Sequence, residues 1–497
     1  MEKTPLILLA GALAASCSWE GSARPNIVLI LADDMGYSDI GCYGGEIPTP
    51  NIDGLASAGV RFTQFYNGAR SCPSRASLIT GLYAHETGIG KMSEDPNTLR
   101  EGIITDDYGV PGYKGSLNRN CVTLAEVMKE SGYHTFITGK WHLGMHGMEK
   151  WPLQRGFERF YGILAGATSY FMPTGGRGLW LDNDKQPDPQ SPYYTTDAFT
   201  DYAIDFIDSV QDKNPFFLYL AYNAPHWPLQ AKQEDIDKFY PLYREKGWDA
   251  VRDARVKKMV EGGIIDSRGL PSEWLSRRWE ELSEPEKDEA AMRMATYAAQ
   301  VHRMDANIGR LVDYLRGTGR LSNTVIMFLS DNGACAEPYP YQELGGGDVA
   351  DINNPASMRF PTYGRAWAQV SNTPYRDFKR STFEGGIRTP FILSGPCVKG
   401  REGSLCSAKA TIMDIMPTMV ELGNADYPET FHNGHPIHKM KGSSLLQAIQ
   451  GGKDAIHEYL FWEHIGNQAV QWKQWKAVKE AGAEKEWELY DLSLIHI

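Results

Sequence analysis

Cysteine is scarce in this chain. Seven residues in 497 stand at spacings that match no zinc-binding pattern, so zinc is not expected to organise the fold. Long apolar runs are missing as well. Residues 6–15 form a short one, too short to span a bilayer as a helix, and no later stretch is apolar enough to cross a membrane. Positive charge is not in excess: 50 Lys and Arg stand against 62 Asp and Glu, a net charge of −12. That balance argues against broad nucleic-acid binding, which needs a basic face. It leaves an anionic small substrate open, provided positive charge is gathered locally. Internal repeats and low-complexity tracts are absent. The chain is 42% hydrophobic, enough for a buried core, and long enough for one large domain plus a smaller one.

The N-terminus reads as an export signal. Met1-Glu2-Lys3 gives a charged start, residues 6–15 an apolar run, and Leu13-Ala14-Ala15-Ser16-Cys17 a small-residue end. The pattern fits a secretory signal over residues 1–22, or a bacterial lipoprotein signal with Cys17 lipidated. The expected location is the periplasm, or the outer membrane through a lipid anchor at Cys17. Beyond the signal, Cys397 and Cys406 flank a Gly-rich turn. They either pair in an oxidising compartment or stay as free buried thiols.

Five short apolar runs without polar alternation read as fully buried strands: residues 26–32, 134–138, 216–222, 324–329 and 390–394. Helical patterns lie between them, at 51–58, 123–131 (Thr123 as N-cap), 197–209, 289–316 and 413–422. This alternation predicts an α/β domain with a largely parallel sheet. Residues 230–290 are charged, helix-prone and broken by Gly and Pro. Residues 334–376 read as a long loop of the kind that shapes a pocket. After about residue 430, three stretches (458–464, 469–479, 487–492) read as strands of a small antiparallel sheet. The expected division is a catalytic domain over 23–430 and a C-terminal subdomain over 431–497.

Polar clusters stand at the ends of four of the buried strands. They are Asp33-Asp34, then Lys140-Trp141-His142, then Asn223-Ala224-Pro225-His226, then Asp331-Asn332-Gly333. Ligands of open α/β sheets bind at the carboxyl edge of the strands, so the four clusters are predicted to converge. Asp33, Asp34, Asp331 and Asn332 offer only oxygen, which suits a hard cation such as Ca²⁺ or Mg²⁺. Residues 71–81 read Ser-Cys-Pro-Ser-Arg-Ala-Ser-Leu-Ile-Thr-Gly. Pro73 can open a helix there, which sets Ser71 at its N-terminus, where anions are favoured. Arg75 lies one turn along.

Ser71-x-Pro73-Ser74-Arg75 with its helical continuation resembles the signature of type I sulfatases. Other motifs resemble the same family: Pro25-Asn26-Ile27-Val28 through Asp33-Asp34-Met35-Gly36, Gly139-Lys140-Trp141-His142-Leu143-Gly144, Pro225-His226, Ser330-Asp331-Asn332-Gly333, and Lys379 through Glu384-Gly385-Gly386-Ile387-Arg388. Gly247-Trp248-Asp249 and Gly364-Arg365-Ala366-Trp367 are similar to the bacterial arylsulfatase branch. The resemblance implies the alkaline phosphatase superfamily fold: a large mixed, mostly parallel sheet between helices, with a small C-terminal antiparallel sheet. It implies a sulfuric ester hydrolase whose residue 71 is oxidised to formylglycine. The Ser form implies an anaerobic-type maturase as partner. The family continues past Tyr-Asp-Leu with Asp-Pro. Here Tyr490-Asp491-Leu492 runs into a truncated or foreign-looking tail that removes no recognised catalytic residue.

The implied chemistry gives each residue a task. A plain Ser hydroxyl is a weak nucleophile without an activating base. A hydrated aldehyde at residue 71, held on Ca²⁺ (Mg²⁺ second) by Asp33, Asp34, Asp331 and Asn332, attacks the sulfate sulfur. Arg75, Lys140 and Lys379 neutralise the sulfuryl oxygens. His226, aided by Lys379, protonates the leaving alcohol, and His142 takes the proton that lets sulfate depart. Glu384 and Arg388 are expected to be structural, with Gly385-Gly386 supplying permissive backbone. Tyr161, Tyr170, Phe171, Trp180, Trp227 and the 334–376 loop are expected to line an outer pocket for an aryl sulfate or a sulfated carbohydrate. Two rival readings are a phosphoester or phosphonate hydrolase of the same superfamily and a non-catalytic binder of sulfated glycans.

Overall fold

The computed structural model describes residues 24–92, 107–266, 271–357, 360–451, 456–482, 484 and 486–492. The export signal, Cys17 and the tail after Leu492 lie outside the described residues. Ten strands form the main sheet: β1 (Asn26–Ala32), β2 (Gly59–Phe62), β3 (His134–Lys140), β4 (Arg159–Ile163), β5 (Trp180–Leu181), β6 (Asp184–Lys185), β7 (Phe216–Ala221), β8 (Thr324–Ser330), β9 (Phe391–Ser394) and β10 (Ser404–Cys406). Their spatial order is β10-β2-β9-β8-β1-β7-β3-β4-β5-β6. The central run β8-β1-β7-β3-β4 is parallel, while β9 runs antiparallel to both β8 and β2. The sheet is therefore mixed, with a parallel centre.

The absence of polar alternation in β1 has a direct cause. Val28, Ile30 and Ala32 enter one apolar core, and Ile27, Leu29 and Leu31 enter another on the opposite face. A strand covered on both faces has no solvent side to keep polar. Helices Thr195–Asp208, Gln233–Glu261 and Glu284–Gly317 cover the first face. Helices Ser71–Thr80, Leu124–Glu130 and Ile415–Gly423 cover the second. The Thr123 cap forms as expected: its hydroxyl accepts from Glu126 N at 3.0 Å, and Glu126 accepts from Thr123 N at 2.7 Å. The charged 230–290 stretch contains the long helix Gln233–Glu261, interrupted at Gly247 (φ 67°).

The C-terminal sheet is antiparallel and ordered β11 (Tyr459–His464), β12 (Asn467–Trp472), β13 (Trp475–Lys479), β14 (Glu488–Asp491). Residues 469–479 are thus a hairpin rather than one strand. Trp472 pairs with Trp475, and Lys473 turns the chain with φ 51°. Cys397 and Cys406 are buried and form no disulfide.

Candidate active site

Four neighbouring parallel strands deliver their carboxyl ends to one place. Asp33 and Asp34 follow β1, Lys140 ends β3 with His142 two residues on, His226 follows β7, and Asp331 and Asn332 follow β8. Ser71 opens the helix Ser71–Thr80 beside them. The convergence read from the sequence is present. Ser71, Asp33, Asp34, Arg75, Lys140, His142, His226, Asp331, Asn332 and Lys379 are each at most 3% exposed.

Arg75 ties the cluster together. Its Nε donates to Ser71 Oγ at 2.9 Å and lies 3.3 Å from Asp331 Oδ2, while Nη1 donates to the Lys140 carbonyl at 3.1 Å. Lys140 Nζ donates to Asp33 Oδ2 at 2.6 Å, and Lys379 Nζ to Asp34 Oδ2 at 2.8 Å. Asn332 Nδ2 donates to Asp34 Oδ1 at 2.7 Å. His226 Nδ1 lies 2.6 Å from the Trp227 carbonyl, so Nδ1 carries the proton. Its Nε2 faces Lys379 Nζ and Asp34 Oδ2, each at 3.4 Å.

Local backbone sets these positions. Gly139 (φ 107°) precedes Lys140, and a Cβ there would lie 1.8 Å from the Ala221 carbonyl of β7. Asp34 (φ 65°) and His142 (φ 57°) hold left-handed backbone, which costs non-glycine residues about 1–2 kcal/mol each; such conformations gather at functional sites. Lys379 is held through its N–H to the Ala334 carbonyl at 3.1 Å. Gly385 and Gly386 serve differently from expectation. They sit in the single helical turn Glu384–Ile387 without positive φ. A Cβ on them would meet the Asp377 and Ser381 carbonyls at 2.2 and 2.1 Å, so close backbone approach requires glycine.

Burial and charge set the protonation. Burial pushes the Asp33 carboxyl up to about 8, against the pull of Lys140. Burial also acts to raise Asp34, but Lys379 and His226 outweigh it and hold that carboxyl below the usual range. Burial takes His226 down to about 3, opposed by Asp34. His142 is driven well down by burial and by Lys140 and Arg75.

The donor set fits a hard cation. Asp33 Oδ1 and Asn332 Oδ1 are buried without a hydrogen-bond partner, although buried polar atoms are nearly always satisfied. Asp33, Asp34 and His226 present ligand atoms within 4.8 Å of one another. Sequence reasoning gave His226 a proton-transfer task and missed this proximity. Glu337 was also missed. It accepts from Trp227 Nε1 at 2.9 Å and from Arg70 Nη2 at 3.3 Å, forming the rim of the site. No motif in the loop singled it out.

The expected outer-pocket aromatics separate. Trp227 is at the rim, but Tyr161 packs into the core on Tyr202, with ring centroids 3.5 Å apart. Trp180 lies against Trp151 at 4.5 Å. Buried Tyr170 donates to the Asn223 and His226 carbonyls, both at 2.8 Å, and so supports the His226 loop from below.

A mixed α/β sheet with a buried cluster of three basic and three acidic side chains at its carboxyl edge has the charge to suit an enzyme of anionic esters. The chain belongs to the sulfatase family, within the alkaline phosphatase superfamily: the family model "Sulfatase" matches residues 25–425. It is 35% identical over 454 residues to the arylsulfatase of Klebsiella aerogenes, covering 88% of this chain and 94% of that one. An uncharacterized sulfatase of Schizosaccharomyces pombe is 34% identical over 503 residues, covering 95% and 89%. Among solved structures, Ps i-CgsB in complex with k-i-k-neocarrahexaose aligns with a TM-score of 0.65 at 28% identity, over 95% of this chain and 87% of that chain. The protein is a sulfatase, an enzyme that hydrolyses sulfuric esters.

Proposed function

We propose that this sulfatase acts through residue 71, after an anaerobic-type maturase has oxidised Ser71 to formylglycine, and releases sulfate from an aryl sulfate or a sulfated carbohydrate. The observation that carries the reading is the position of Ser71: first residue of its helix, with Oγ 2.9 Å from Arg75 Nε. Ps i-CgsB was solved holding a neocarrahexaose, which supports the carbohydrate class. Asp33, Asp34, Asp331 and Asn332, with the residue-71 oxygen, would hold Ca²⁺, or Mg²⁺ as second choice. Formylglycine supplies an aldehyde whose hydrate is a better nucleophile than a plain serine, and the cation supplies Lewis acidity.

The chain's own residues supply the rest. With a divalent cation keeping Asp33 ionised, Asp33, Asp34 and Asp331 would balance Arg75, Lys140 and Lys379 charge for charge, and the cation's own charge would leave the site positive for an anionic ester. Arg75, Lys140 and Lys379 bind the sulfuryl oxygens. Lys379, whose Nζ lies 3.4 Å from His226 Nε2, supplies the proton that Nε2 accepts and relays to the leaving oxygen. His142, whose Nδ1 has no hydrogen-bond partner, takes the proton whose loss from residue 71 frees sulfate.

Mass spectrometry of the peptide containing residue 71, from protein made with an anaerobic-type maturase, tests the nucleophile. Loss of two hydrogens with aldehyde-specific labelling is expected. An unmodified Ser71, under conditions that mature a control sulfatase, would overturn it. Faster turnover of aryl phosphate than of aryl sulfate by matured protein would favour the phosphoester reading. Export rests on residues 1–22, with periplasmic or Cys17-anchored location in a bacterium. Fractionation of wild-type and Cys17→Ala cells separates the two forms.

A further inference from the structure

β3 and β4 lie side by side in the parallel run, with Lys140 opposite Ile163 at their carboxyl ends. β3 carries Lys140 and His142 into the catalytic cluster. The segment leaving β4, residues 164–170, has no helix or strand of its own and brings no charged group. All of it except Ser169 is buried. Connecting segments normally run over the surface, so a buried one beside a catalytic cluster calls for a reason.

Its near end meets His142. The Leu164 carbonyl accepts from His142 N at 3.2 Å, next to the Ile163 carbonyl, which accepts from Trp141 N at 3.0 Å. The imidazole stands against Gly166. A Cβ on that residue would lie 2.4 Å from His142 Cε1 and 2.5 Å from Nε2, so the ring and a side chain there cannot both keep their places. Ring Nδ1 has no hydrogen-bond partner to aim it, which leaves backbone and packing to set the orientation.

Its far end meets the His226 loop. Tyr170 is fully buried and shares its hydroxyl proton between the Asn223 and His226 carbonyls, each at 2.8 Å. Tyr170 N and Ser169 Oγ both donate to Gln230 Oε1, at 2.8 and 3.0 Å, which ties the segment to the chain that follows His226. Thr195 N donates to the Tyr170 carbonyl at 2.9 Å. Between the two ends, Thr168 Oγ1 donates to the Arg177 carbonyl at 2.7 Å, and Arg177 Nη1 to the Ala167 carbonyl at 2.8 Å. The segment is thus braced at both ends and in the middle.

We propose that Gly166 and Tyr170 are positioning residues, set on one braced segment, that hold the two proton-transferring imidazoles. Gly166 leaves room for the His142 ring, and Tyr170 fixes the backbone of His226. The inference rests on the roles given to those histidines above and assigns each support to its own stage: Tyr170 to release of the alcohol, Gly166 to release of sulfate. Misplacing a catalytic group by about an ångström costs about 100-fold in rate, so the two supports are expected to matter to turnover although neither touches the substrate.

The test uses full-length protein in two states. In unmatured, metal-free protein, the ring signals of isotope-labelled histidine are followed by NMR and assigned through His142→Gln and His226→Gln. Gly166→Ala should move the His142 signals and leave those of His226, and Tyr170→Phe should do the reverse. Thr168→Val, which loosens the brace without adding bulk beside either ring, should move both. Matured, metal-loaded enzyme is then assayed on aryl sulfates. Gly166→Ala should lower kcat and KM together by about 30-fold, leave kcat/KM within about twofold of wild type, and give a burst of nitrophenolate before the steady state. Tyr170→Phe should lower kcat/KM about tenfold on phenyl sulfate but less than about twofold on p-nitrophenyl sulfate, because the better leaving group needs its proton less. In a His142→Ala background, Gly166→Ala should cost no further activity, since residues that act through one another are not additive. Ring signals that stay in place, or losses that add in the double variant, overturn the positioning. Signals that move as stated while both esters respond alike leave the supports standing and overturn the histidine roles on which they rest.

Discussion

Arg75 makes three contacts that a lysine cannot make together: to Ser71 Oγ, to Asp331 Oδ2 and to the Lys140 carbonyl. A guanidinium presents a planar fork of donors, an ammonium a single point. Arg75→Lys is therefore expected to lower kcat on p-nitrophenyl sulfate about 100-fold, with little change in melting temperature. A loss below fivefold would remove Arg75 from the reacting centre. The oxygen donors lead to a second expectation at this scale. Asp33 Oδ1 and Asn332 Oδ1 lack partners, and hard cations prefer such oxygen sets. Chelation should abolish turnover, and Ca²⁺ should restore it ahead of Mg²⁺. Restoration by a soft thiophilic metal alone would refute the oxygen-donor site.

Elements meet through few but well-placed polar contacts. Asp197, in the first turn of helix Thr195–Asp208, accepts from Arg303 at 2.7 Å and from Asn307 at 2.8 Å, both on helix Glu284–Gly317, and from Lys232 at 2.9 Å. Burial acts to raise its carboxyl, but bonds from Arg303, Lys232 and Asn307 prevail and hold it at about 2, below its ordinary 3.8. A depressed folded pKa stabilises above the unfolded value and is lost as pH falls through the folded one. Asp197→Asn should thus cost about 2 kcal/mol at pH 7, and the melting-temperature gap should close between about pH 4 and 2. A gap that ignores pH would assign the loss to packing. The elements themselves were unevenly legible in the sequence. β1, β3, β7 and β8 were readable because burial on both faces leaves uninterrupted apolar runs. β2 and β4 were not, since short strands with an arginine in each carry no period. The β12–β13 turn was missed because Lys473-Gln474 lacks the Gly or Asn that marks tight hairpins. At the active site the strand-end clusters were visible, whereas Glu337 lies in a segment whose placement only tertiary packing decides.

At the scale of the whole molecule, the question is what holds the C-terminal sheet to the catalytic domain. The apolar contact is small, centred on Leu460 with Tyr66 and Ile387, and on Ala469 and Val478 with Phe383. A buried polar bridge adds to it. Lys476 of β13 is 1% exposed and donates to Glu384 Oε1 at 2.6 Å. Glu384 Oε2 accepts from Tyr66 at 3.1 Å and lies 3.3 Å from Arg388, whose guanidinium also donates to the Thr63 carbonyl at 2.8 and 2.6 Å. Glu384 belongs to the segment that carries Lys379, closed by Gly385 N to the Arg376 carbonyl at 2.8 Å. One chain segment therefore carries both the contact to the C-terminal sheet and Lys379, the lysine proposed to bind the ester. Removing one partner of a buried ion pair strands the other, at a cost of about 3 kcal/mol. Lys476→Met is expected to expose the C-terminal segment to limited proteolysis and to lower activity over the same range of temperature. Lys476→Met with Glu384→Gln should recover part of both, because neither charge is then left alone, and the coupling in that cycle should be about 2 kcal/mol. If Lys476→Met frees the C-terminal sheet to protease while turnover at low temperature stays at the wild-type value, the two events are separate, and the Lys379 segment holds its lysine without the sheet.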